Sequence, residues 1–129
     1  MRLAFAFDMR PEPWGLWQGA RYLFLAAERE GHEAVHFNTQ EEIPRDGFDA
    51  HLILDDSRHF EPVRRDLRPS ICYVTDTHAG GYALRRNRID GADLVFAAQK
   101  DGVRRLHGDG VEARWLPWAC DERLHARNL

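Results

Sequence analysis

The sequence predicts an α/β fold: a Rossmann-like, doubly wound, mostly parallel sheet of six strands with helices on both faces. Three observations predict it. Short apolar runs alternate with segments of helical period along the whole chain, the rhythm of strands joined by helical crossovers. The opening run from Leu3 to Phe7 is apolar at every position, as a strand buried on both faces is. Polar residues, many of them acidic, stand directly after the strands, at the edge where open α/β sheets bind ligands.

The elements follow in order. Leu3 to Phe7 forms the first strand. Beyond Pro11 and Pro13, apolar residues recur at Trp17, Ala20, Phe24 and Ala27, one stripe of an amphipathic helix, and Gly31 supplies its stop. His32 to Phe37 reads as the second strand, and Phe48 to Leu54 leads into a third that ends at Asp55 and Asp56. Phe60, Val63 and Leu67 suggest a short helix before Pro69. Ile71 to Val74 is the fourth strand, Gly81 to Asp90 a helix, and Asp93 to Ala97 the fifth strand. Lys100 to His107 is a helix closed by Gly108 and Gly110, and Glu112 to Leu116 is the sixth strand. The crossovers are expected to be right-handed.

With 129 residues the chain makes a single domain and has no room for a second. Its apolar runs fall far short of the roughly 20 residues that span a bilayer, so no membrane span is expected. Asp8 interrupts the opening apolar run and no small-residue cleavage site follows it, which argues for a strand over a signal peptide. Two cysteines, Cys72 and Cys120, make neither a disulfide framework nor metal-ligand spacing, and a cytoplasmic location is the expectation. A formal net charge of -3 gives no general attraction to nucleic acid. Arginines cluster at Arg64, Arg65 and Arg68, at Arg85, Arg86 and Arg88, and at Arg104 and Arg105. At helical spacing they read as solvated helix faces, with contact to an anionic ligand or a partner as the alternative.

The residues after the strands are Asp8, Asp55 and Asp56, Asp76 to His78, and Gln99. Carboxylates accept hydrogen bonds from hydroxyls, and a histidine near neutrality can take a proton from an attacking one. The plainer reading is that strand-terminal aspartates cap the next turn. Gly80 and Gly81 would let a ligand approach the backbone beside Asp76 and His78. Trp14, in the loop after the first strand, suits either stacking on a sugar ring or a partner contact. The first turn lacks the glycine pattern of a dinucleotide site, so no nucleotide cofactor is expected, and the acids match no known metal spacing.

Four stretches carry a resemblance: Gly31-His32-Glu33-Ala34-Val35, Tyr73-Val74-Thr75-Asp76-Thr77-His78, Ala92 to Lys100, and Trp115-Leu116-Pro117-Trp118-Ala119-Cys120-Asp121. The chain resembles the N-terminal domain of GT-B glycosyltransferases, and within them the bacterial group related to the spore-maturation glycosyltransferase CgeB. The resemblance implies one half of a two-domain enzyme, the half that binds a sugar or glycosylated acceptor, with the nucleotide-sugar donor held by a C-terminal domain absent from this chain. It implies Asp76 and His78 as the catalytic candidates, and the residues placed after the strands and in their loops, Asp8, Trp14, Asp55, Asp56, Gly80, Gly81 and Gln99, are the expected acceptor or ligand contacts. The glycine-rich turn common after the first strand of such enzymes is reduced here to Gly15 and Gly19. The alternative is a stand-alone binding module of the same fold without catalysis. A homodimer whose two copies face each other across a cleft, through Trp115 or Trp118, is a third expectation.

Overall fold

The computed structural model describes residues 1–9, 18–77 and 81–118. Six strands form one sheet: β1 (Arg2–Ala6), β2 (Glu33–Phe37), β3 (Ala50–Leu54), β4 (Ser70–Val74), β5 (Leu94–Ala97) and β6 (Ala113–Trp115). Their order is β2-β1-β3-β4-β5-β6, and every neighbouring pair is parallel. Among the described residues, three α-helices, α1 (Gln18–Arg29), α2 (Tyr82–Arg88) and α3 (Lys100–Gly108), and a 3₁₀ turn at Gln40–Glu42 complete the regular structure. This is the Rossmann-like α/β architecture read from the sequence.

Both faces of the sheet are apolar because successive side chains of a strand point to opposite sides. On one face Leu3, Phe5 and Phe7 meet Ala20, Leu23, Phe24 and Ala27 of α1. The ring of Phe24 stands edge-on to that of Phe5, with centroids 5.3 Å apart. On the other face Ala4, Ala6, Ile53, Cys72, Val74, Val95 and Ala97 lie under Tyr82, Ile89 and Leu106, which belong to or adjoin α2 and α3. Burial pushes the Cys72 thiol up to about 12. Gly31, at φ +83°, turns the chain out of α1 into β2.

The short helix expected over Phe60, Val63 and Leu67 does not form. Pro62 has no amide hydrogen to offer a helix. The amide of Val63 is taken by the Asp90 carbonyl at 2.9 Å and that of Arg64 by the Gln40 side chain at 2.9 Å. With these donors satisfied by distant partners, the segment is an irregular connection, and Val63 and Leu67 still reach the core. The solvated reading of the arginines fails at two positions: Arg85 and Arg88 of α2 are buried. Among the described residues no helix is long and apolar enough to cross a membrane.

Candidate functional site

Because all strands run the same way, the segments that follow them gather at one edge of the sheet. Between β1 and β3 the chain reverses its direction of travel across the sheet, and Asp8, Asp55 and Asp56 emerge there. Such a reversal opens a crevice between neighbouring loops.

Asp56 organises the first part of this edge. Its Oδ1 accepts the backbone amides of Arg58 and His59, each at 3.0 Å. Its Oδ2 accepts the amide of Asp8 at 2.9 Å and faces Nδ1 of His59 at 2.8 Å. Burial alone would raise this carboxyl, but the His59 ring and the three amides outweigh it and hold the group below its ordinary 3.8. Asp8 is itself buried and meets Nη1 of Arg58 at 3.1 Å. A depression of about 230 Å³ opens beside them, lined by Asp8, Asn38, Thr39 and His59.

Asp55 organises the second part. Its Oδ2 accepts the amide and hydroxyl of Thr75, at 3.0 and 3.2 Å, and Nε of Arg85 at 2.8 Å. Its Oδ1 takes the Ser57 amide at 2.9 Å. Arg85 also donates to Ser57 Oγ at 2.9 Å, stacks over Phe60, and lies 4.0 Å from the carboxylate of Asp76. Ser57 and Asp76 hold positive φ values of 58° and 47°, the only such values outside glycine among the described residues. Backbone held in sparsely populated conformations tends to gather at functional sites.

Farther along the edge, Gln99 Oε1 accepts the Thr77 hydroxyl at 3.1 Å and ties the segment after β4 to the start of α3. Thr77 rests on Gly102, where any Cβ would collide with it.

The aspartates after β3 therefore do cap their turns, as the plainer reading has it, and each also binds a second strand's segment. Their oxygens face protein donors, and His59, which the sequence reading passed over, borders the open depression. The signal was present: Asp56-Ser57-Arg58-His59 spaces an acid and a histidine so that one tight turn brings them together. Asp76 is half-buried beside Arg85, and Gln99 serves Thr77. Gly81 is approached by the protein itself, since a Cβ there would lie 2.7 Å from the Asp76 carbonyl oxygen. Trp14, His78 and Gly80 lie outside the described residues. Trp118 packs edge-on to Tyr73 with centroids 6.1 Å apart, and Trp115 lies beneath the Lys100 ammonium at 4.1 Å. Among the described residues no group of three or more histidines, cysteines or acids is placed to hold a metal ion.

Fold and edge together define a doubly wound α/β domain whose polar centre sits at a topological switch point. Comparison with protein-family models, curated proteins and solved structures found no match to this chain.

Proposed function

We propose that this chain is the acceptor-binding domain of a nucleotide-sugar-dependent glycosyltransferase of the GT-B kind, with the donor held by a domain outside these 129 residues or by a second copy. The observation that carries the reading is the Asp56–His59 pair, 2.8 Å apart, bordering the depression of about 230 Å³ at the switch point.

An acceptor hydroxyl must lose its proton as its oxygen bonds to the anomeric carbon. In the neutral ring, a hydrogen on Nδ1 facing the Asp56 carboxylate leaves the Nε2 lone pair free to accept a proton. His59 Nε2 takes the hydroxyl proton, and Asp56 stabilises the imidazolium that results. Asn38 and Thr39, with one amide and one hydroxyl side chain on the depression, suit the remaining hydroxyls of a sugar. His59 thus takes the part that the resemblance gives to His78.

Titration of isotopically labelled chain with simple sugars, nucleotides and nucleotide sugars, read through backbone amide shifts, tests the proposal. Sugars are expected to give saturable shifts at Asn38, Thr39 and His59, with nucleotides giving none. Saturable nucleotide shifts around Asp8, Asp55, Asp76 and Gln99 would instead establish a self-contained nucleotide binder and end the acceptor reading. In the assembled enzyme, His59→Ala should lower turnover by about 10²–10⁴ while leaving the amide spectrum folded.

A further inference from the structure

Arg88 closes α2 and is only 3% exposed. It lines a second depression of about 180 Å³ with Thr39, Gln40, Glu41, His59 and Glu61. Nη2 of its guanidinium donates to the Leu54 carbonyl at 3.4 Å, whereas Nε and Nη1 have no hydrogen-bond acceptor. Among the described residues, the carboxylate within ion-pair reach is that of Glu61, 3.8 Å from Nη1 and on a side chain 66% exposed. Three positions earlier on the same helix, Arg85 shows what a matched guanidinium looks like, with buried Asp55 at 2.8 Å.

A guanidinium keeps its charge when buried, so it needs an acceptor where water is excluded. Arg88 has two nitrogens lacking one, beneath a depression large enough for a small group and beside a loosely held carboxylate. We propose that this depression is an anion subsite, receiving a carboxylate or phosphate borne by the sugar acceptor, which takes the place beside Arg88 that Glu61 holds. The inference rests on the acceptor reading above and narrows it to acidic or phosphorylated sugars. Thr39 and His59 border both depressions, so one ligand can set its anion by Arg88 and a hydroxyl by His59. Glu41 and Glu61 also line this depression and repel any anion placed there, so the hold on the hydroxyl at His59 must contribute to the binding.

The test is a titration of the labelled full chain with glucose, glucuronate, glucose 6-phosphate and inorganic phosphate at fixed ionic strength, followed at the Arg88 Nε–H correlation and the His59 amide. At least one of the two charged sugars is expected to shift both signals saturably and to bind about tenfold tighter than glucose, and inorganic phosphate to shift neither. Which of them does so separates carboxylate from phosphate. Glu61→Gln, at an exposed position, should tighten that binding several-fold by removing the competing carboxylate, and Arg88→Lys should weaken it about tenfold. Equal affinity for glucose and the charged sugars, with Arg88 silent, would overturn the anion subsite and leave the acceptor reading standing. Glu61→Gln binding that is unchanged or weaker would also overturn it, whatever Arg88→Lys does to folding. Shifts from inorganic phosphate alone would mark a simple anion site and overturn the link to a sugar. Silence toward all four probes would overturn both readings.

Discussion

Asp56 accepts four hydrogen bonds through two oxygens, and that saturation makes it a structural as well as a chemical residue. In Asp56→Asn an amide group must point its hydrogens at donors, either the Arg58 and His59 amides in the place of Oδ1 or the Asp8 amide and His59 ring in the place of Oδ2. The expected cost at neutral pH is about 3 kcal/mol, read as a lower urea midpoint. The native carboxyl titrates below 3.8, so its stabilisation is complete above that value and is lost as the pH falls through the lower native one. The gap between wild type and Asp56→Asn should therefore hold from pH 7 to pH 5 and narrow toward pH 2. A gap that stayed constant into acid would show that the loss is one of shape and not of charge. The candidate site was legible in part at this scale. Asp8, Asp55, Asp56 and Gln99 stand where strand ends were expected, because an apolar run that stops at a polar residue marks its own end. His59 was legible only as a spacing, three residues after Asp56, because what brings the pair together is a turn without glycine, which leaves little trace in sequence. Arg85 and Arg88 were misread for a related reason: helical spacing says which residues share a face, but not whether that face meets water.

Among the elements, α2 shows how tightly the edge is built. A Cβ on Gly81 would lie 2.7 Å from the Asp76 carbonyl oxygen and 2.8 Å from Nη1 of Arg85, both inside van der Waals contact. Gly81→Ala should therefore cost about 1–3 kcal/mol, because the carbonyl cannot move without disturbing the positive-φ turn at Asp76. Gly108, the last residue of α3, has nothing within 4 Å of the corresponding position and no positive φ. The same substitution there should stabilise by about 0.4–1 kcal/mol through the unfolded chain. Thermal unfolding midpoints that move in opposite directions would bear out the contrast; two decreases would refute it. The strands were legible for a different reason than the helices. The first is apolar on both faces and reads without a period, whereas α1 reads through one apolar stripe and α3 through the glycines that close it. The connection over residues 58–69 defeated the reading because Val63 and Leu67 have helical spacing, yet the amides of Val63 and Arg64 are bound by Asp90 and Gln40 across the fold.

For the whole molecule, Cys72 reports on the integrity of the sheet. It lies fully buried in β4, and burial pushes its thiol up to about 12, so at pH 8 it is both protonated and shielded. In a Cys120→Ser background, reaction of Cys72 with a disulfide reagent should proceed at the rate of global unfolding and accelerate with urea in step with it. Rapid reaction without denaturant would mean that the sheet opens locally around β4. The strand order bears on how this chain is made. β1 is apolar on both faces and interior to the sheet, but its second neighbour, β3, follows the whole of α1 and β2 in sequence. During synthesis the first strand therefore leaves the ribosome with neither flank paired, gains β2 first, and waits until Ala50–Leu54 has emerged before its other flank is covered. For that interval the nascent chain carries an apolar strand without its full set of partners, exposed to whatever surrounds it.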